Sequence, residues 1–287
     1  MLTDKMLTPQ QIAEFKMKFE THGFCHVRNA IPPATLAAAR QAFDSARARL
    51  EPERDARSRA AYFDLPHILD CGAPFIDLVD LPQLFPLLVE LVGQDIQLNH
   101  TMARLFYPGP TFTSPFHSDL TKVLGISHEH TPSFLVKVHY YLEDLSADQG
   151  CLAFIPGSQR YPAATPNPKN LDPGHPDLVV KIVPRAGDAV IFNTHVLHMA
   201  LDNTSGKVRQ SLIYAYSHFW LKTYPSGAPT DLAPFAGNRQ RLQLFGVDEP
   251  GTGYLDRRLD AGAGTAASLG ADLRASGKRL VKRVLGR

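Results

Sequence analysis

The chain has 287 residues, 44% hydrophobic and 20% charged, a globular composition that excludes a disordered or collagen-like polypeptide. Lys and Arg number 30 against 28 Asp and Glu, so a net charge of +2 offers no electrostatic case for nucleic acid. No apolar run reaches the roughly 18–20 residues of a membrane span, no signal-peptide pattern opens the chain, and the scattered Cys25, Cys71 and Cys151 form neither a CxxC nor a disulfide framework, so a reducing cytoplasm is the expected compartment.

In chain order, Thr8-Pro9-Gln10-Gln11 predicts a helix start, with Thr8 as N-cap, Pro9 in the first turn and Gln11 closing a capping box. Ile12, Phe15 and Phe19 follow at helical spacing as its buried stripe, and His22-Gly23 ends it. Residues 24–27 read as a short strand. Pro32-Pro33 opens an alanine-rich helix to about Leu50, and the mixed charges of 51–59 read as a solvated helix end or surface loop. Across 75–92, Leu81, Leu84, Leu88 and Leu91 keep helical spacing, with Gly93 as the stop. Beyond Gly93 the texture changes. Short β-like runs (96–107, 134–142, 151–155, 178–183, 188–192 and 208–219) alternate with turn clusters rich in Pro, Gly and Asn. Helices followed by many short strands predict a mainly β barrel or jelly roll braced by helices.

One domain is expected over 1–255, with a helical part at 1–93 and a β core at 94–220. The basic, Ala/Gly-rich stretch 256–287 reads as a terminal helix packed on its own domain or on a second copy, or as a frayed tail. Membrane contact through it is not expected, because Ser276-Gly277 interrupts its apolar face.

Two His-x-Asp triplets occur, His117-Ser118-Asp119 and His175-Pro176-Asp177. Twelve histidines give about one such triplet by accident. His175 sits in a Pro/Gly-rich stretch, whereas His117 follows a turn cluster and opens an extended segment. There, residues i and i+2 share a face and can hold one ion together. A third ligand from His195 or His198 completes the two-histidine, one-carboxylate set of open non-haem iron sites. Arg209 lies eleven residues beyond His198, past the turn at 202–206, where its fork suits a carboxylate. His128 and His130 read as exposed loop residues.

His117-x-Asp119, then Gly150-Cys-Leu-Ala-Phe-Ile-Pro-Gly-Ser158, then Gly187-Asp188, then His198-x4-Asn203-x5-Arg209, resembles the phytanoyl-CoA dioxygenase family over roughly residues 96–219. The resemblance implies a double-stranded β-helix of cupin-like, jelly-roll type, with Fe(II) as cofactor and 2-oxoglutarate and O2 as co-substrates. It selects His198 over His195 as the third metal ligand, beside His117 and Asp119. It gives Arg209 the distal carboxylate of 2-oxoglutarate and places Met102 at the co-substrate site. His139 falls where many members carry a tryptophan, and Ala200 where some carry a serine or threonine. The implied activity is hydroxylation of an unactivated C–H bond of a small molecule. The same metal chemistry also serves desaturation, cyclisation or endoperoxidation, and a cupin-like binding protein without turnover is the non-enzymatic rival. Strand alternation from Met102 and His139 places Arg104, Lys137 and Tyr141 toward the cavity, which predicts an anionic substrate. A homo-oligomer stays open.

Overall fold

The computed structural model describes residues 6–53, 62–110, 116–119, 133–161, 168 and 170–247. His128, His130 and the tail 256–287, read above as exposed loop residues and as a terminal helix or frayed tail, lie outside them.

Helix α1 (Pro9–His22) forms as its capping box dictates. The Gln11 N–H donates to Thr8 Oγ1 at 3.2 Å and the Thr8 N–H to Gln11 Oε1 at 2.9 Å. Of its predicted stripe, Phe19 is fully buried, while Ile12 and Phe15 are partly buried against the core. Strand β1 (Phe24–Val27) and helix α2 (Pro33–Leu50) also form where expected.

The helical reading of 75–92 needs correction. Two short helices occupy the region, α3 (Ala73–Asp77) and α4 (Phe85–Val92), parted by a turn. Pro82 is the physical reason: it has no N–H to continue the ladder, and its ring disfavours helical backbone at Leu81. The leucines bury their side chains all the same, because the hydrophobic spacing survives the break.

Strand β2 (Tyr62–Leu65) was not expected from the sequence, and neither was the three-residue strand at His198–Ala200. Strand β2 is followed by β3 (Ile96–Phe106), β4 (Leu135–Tyr140), β5 (Leu152–Phe154), β6 (Val180–Ile182), β7 (Ala189–Asn193), β8 (His198–Ala200) and β9 (Arg209–His218). All pairings are antiparallel. They make a six-stranded sheet in the order β1-β7-β4-β9-β3-β2 and a three-stranded sheet in the order β6-β5-β8, the two sheets of a jelly roll. A last short helix, α5 (Arg239–Leu244), packs against β3.

The large sheet separates two environments, because alternate residues of a strand face opposite ways. Val136, Val138 and Tyr140 of β4, with Leu212, Tyr214 and Tyr216 of β9, join the apolar core built with the helices. The residues between them face the small sheet. The register aligns Lys137, Ala215 and His100 in one row, and His139, Ile213 and Met102 in the next. Phe24, Phe154 and Phe192 fill the space between the sheets, with Phe24 stacked on Phe154 at 4.4 Å between ring centroids.

Candidate active site

His117 and His198 meet through one antiparallel bridge, not a regular strand pair. The His117 N–H donates to the His198 carbonyl at 3.1 Å and the His198 N–H to the His117 carbonyl at 3.0 Å. Asp119 is fixed next to them by its own N–H, which donates to the Thr194 carbonyl at 2.9 Å. The i, i+2 sharing of a face predicted for His117 and Asp119 is thus achieved by local pairing. His198 sits against Phe192, 4.8 Å between ring centroids, in the aromatic filling between the sheets. Each of the three residues offers one ligand atom, and these atoms lie within 4.8 Å of one another. His195 does not join this group among the described residues.

The electrostatics suit a cation. Nδ1 of His198 is 2.9 Å from the Val196 carbonyl, so it carries the proton and leaves Nε2 as a lone-pair donor toward Asp119. Burial lowers the His198 pKa against the pull of Asp119, which keeps the ring neutral, as a ligand requires. For Asp119, burial opposes ionisation, but Lys137, His198 and His117 together outweigh it and hold the carboxyl well below the usual range. Nζ of Lys137 donates to Asp119 Oδ2 at 2.8 Å.

Arg209 is 3% exposed. One guanidinium nitrogen donates to the Gly150 carbonyl. Gly150 has φ +66°, and a Cβ there would lie 2.5 Å from the Phe106 ring, so only glycine lets that carbonyl reach the arginine. Among the described residues Arg209 has no carboxylate partner, and its Nε has no hydrogen bond. Tyr141 Oη, Ser211 Oγ and His139 Nδ1 are likewise buried without partners. Burial pushes the Tyr141 hydroxyl up to about 12, against the pull of Arg209, so it stays a donor. A buried cation without a counter-ion, together with two unpaired hydroxyls, is a stable arrangement only when an anionic ligand completes it.

A cavity of about 750 Å³ lies beside the metal group, with Asp119 in its wall. Met102, Leu135, Leu221, Tyr224 and Pro225 give it apolar surface, and Asn99, His100, Lys137 and Lys222 give it polar groups. The stretch 221–226 was not foreseen as cavity wall; it carries no motif. Arg104, expected to face the substrate, is gripped by Asp64 through two 2.7 Å hydrogen bonds and lies over the Tyr62 ring. That partner comes from β2, a strand missing from the sequence reading. Lys137 lines the cavity as expected, but with Asp119 as its partner. Tyr141 is fully buried beside Arg209 and is not part of the cavity wall.

Comparison with known proteins places this geometry. A model of the phytanoyl-CoA dioxygenase family matches residues 19–211. Dioxygenase af480 of Aspergillus fumigatus is 25% identical over 154 residues, 54% of this chain and 47% of that protein, so the match spans about half of the relative's length. The uncharacterized protein Rv1501 of Mycobacterium tuberculosis is 24% identical over 70% of this chain and 73% of its own length. Among solved structures, the alpha-ketoglutarate-dependent epimerase SnoN of nogalamycin biosynthesis superposes with a TM-score of 0.57 at 20% identity, covering 86% of this chain and 90% of its own. HygX of Streptomyces hygroscopicus, solved with nickel and 2-oxoglutarate, gives 0.57 at 17% identity over 76% and 90%. The carbocyclase SnoK gives 0.54 at 19% identity over 80% and 90%. At these identities the structural likeness establishes the jelly-roll fold.

Proposed function

This chain belongs to the phytanoyl-CoA dioxygenase family, and from that premise we propose that it is an Fe(II)- and 2-oxoglutarate-dependent dioxygenase that hydroxylates an unactivated C–H bond of a small molecule. The observation that carries the reading is the His117, Asp119 and His198 group beside a cavity large enough for a drug-sized ligand. When bound, Fe(II) with 2-oxoglutarate and O2 supplies the oxidising power, through decarboxylation of the co-substrate to succinate.

The residues of this chain do the rest. His117 Nε2, His198 Nε2 and one Asp119 oxygen would hold the metal. Lys137 keeps the second Asp119 oxygen oriented. Arg209 takes the distal carboxylate of 2-oxoglutarate, and Tyr141 and Ser211 supply the donors that Ala200 cannot. Met102 and His139 occupy one cross-strand row beside them, with Ile213 between. The apolar walls exclude water from the reacting carbon. An anionic group on the substrate would meet Lys137 and Lys222, since Arg104 is committed to Asp64.

The test is a substrate screen under Fe(II), 2-oxoglutarate and O2, read by succinate release and product mass. One added oxygen supports hydroxylation. Because an epimerase and a carbocyclase share this fold, an unchanged mass or a loss of two hydrogens would assign one of those outcomes instead. Succinate release that never depends on any added compound overturns the reading.

A further inference from the structure

The cavity wall contains one acceptor that the metal and co-substrate chemistry leaves unused. Strand β3 bulges at Asn99: the register passes from Leu98 opposite Tyr216 to His100 opposite Ala215, with Asn99 as the extra residue. The bulge is clamped from outside by the stretch that follows β9. The Tyr224 N–H donates to the Asn99 carbonyl at 2.9 Å, and Thr101 Oγ1 donates to the Ser226 carbonyl at 2.7 Å. Gly227 comes so close that a Cβ there would lie 2.6 Å from the Asn99 carbonyl oxygen.

This clamp fixes a directed chain of hydrogen bonds. Asn99 Nδ2 donates to the Lys222 carbonyl at 3.2 Å, which orients the amide and turns Oδ1 toward His100. Nδ1 of His100 lies 2.9 Å from that Oδ1 and must therefore carry the ring proton. Burial, reinforced by Lys137, lowers the His100 pKa to about 3, so the ring is neutral and its Nε2 is a bare lone pair. His100 is 6% exposed, lines the cavity, and its Nε2 has no hydrogen-bond partner. The ring is held edge-on by Tyr224, 5.3 Å between centroids.

We infer that His100 is a specificity-determining residue whose Nε2 accepts a hydrogen bond from a hydroxyl group on the substrate. This rests on the cavity being the substrate site of the proposed dioxygenase. A buried acceptor left unpaired is costly, so a ligand bringing a donor is favoured over the same skeleton without one. The donor is a hydroxyl and not an ammonium, because Lys137 and Lys222 share the cavity and repel a second cation.

The test uses matched apolar probes, 1-adamantanol and 1-methoxyadamantane, on protein loaded anaerobically with Fe(II) and 2-oxoglutarate. Binding is read from the fluorescence of Trp220, the chain's single tryptophan, next to Leu221 of the cavity wall. The parent should bind the alcohol about tenfold more tightly than the ether. His100→Phe should bring that ratio to about one, and His100→Gln, which keeps an acceptor, should retain part of it. If the Phe variant fails to fold, ¹⁵N shifts of the His100 ring in the parent carry the test: the alcohol moves Nε2 and the ether does not. Equal binding of both probes by the parent, no binding of either, or an alcohol preference that survives in His100→Phe overturns the inference. Repeating the titration without metal and co-substrate separates the two readings. An alcohol preference seen there too stands even if the dioxygenase assignment fails.

Discussion

The two faces of the large sheet are built from the same strands and solve the problem of buried polar groups in opposite ways. On the helix side, three tyrosines place their hydroxyls on main-chain carbonyls: Tyr140 on Leu78 at 3.1 Å, Tyr214 on Phe75 at 2.8 Å and Tyr216 on Val79 at 2.6 Å. These bonds tie the sheet to the turn and helix behind it, and every hydroxyl is satisfied. One residue along, on the other face, Tyr141 Oη, Ser211 Oγ, Arg209 Nε and His139 Nδ1 are as deeply buried and have no partner. Burial alone therefore does not distinguish a structural polar group from a functional one. On the proposed reading, the distinction is whether the folded chain completes the hydrogen bond or leaves it to the co-substrate.

The comparison breaks most sharply at the metal group. Asp119→Ala or His198→Ala should cut Fe(II) affinity by about a hundredfold or more and abolish turnover, because two ligands hold the ion poorly. His195→Ala should change affinity much less. Anaerobic Fe(II) titration decides it, and an essential His195 with a dispensable His198 would falsify the ligand assignment. Next in size is Arg209→Ala. Losing a charge-assisted, buried contact of about 1.5–3 kcal/mol should weaken 2-oxoglutarate binding about 10–150-fold while Fe(II) affinity holds. The absorbance of the anaerobic ternary complex measures both.

How much of this was readable from the chain follows from what determines each part. Capping at Thr8 is local chemistry and came through intact, as did the spacing that sets His117 and Asp119 side by side. The break at Pro82 was readable in principle, but the leucine spacing on either side masked it. Strand β2 was lost because four residues on an edge carry little periodic signal, and Asp64, the partner of Arg104, was lost with it. Lys137 lines the cavity, as strand alternation predicts. Its bond to Asp119 depends on a loop docking across the sheet, which no local pattern encodes. The segment 221–227 became cavity wall only through its clamp on the β3 bulge.

A pH dependence sharpens the contrast. His100 is held neutral by burial and by Lys137, with its pKa lowered from 6.5 to about 3. Between those values the unfolded ring takes up a proton that the folded ring refuses. The unfolded state then binds more protons, so stability rises with pH in this window and falls as pH drops from about 6.5 toward 3. His100→Gln removes one such group. Its urea midpoint should fall less steeply than the parent's between pH 7 and 4, whatever its value at neutral pH. Parallel curves would mean that the ring titrates as freely in the fold as outside it.

The smallest effect tests the two faces directly, with one methodical change, Tyr to Phe, made on each. Tyr214→Phe removes a satisfied hydroxyl and strands the Phe75 carbonyl, which should cost about 1–2 kcal/mol of stability and leave 2-oxoglutarate affinity alone. Tyr141→Phe removes a hydroxyl that has no partner in the folded chain, so stability should hold or rise slightly. Its loss should appear instead as roughly five- to tenfold weaker 2-oxoglutarate binding, the worth of one neutral hydrogen bond to a carboxylate. Urea unfolding and ternary-complex titration on the same two variants give four numbers. The division of the sheet into a structural and a functional face survives only if the effects cross over. If Tyr141→Phe destabilises the protein as much as Tyr214→Phe and leaves co-substrate binding intact, its hydroxyl belongs to the fold and not to the ligand.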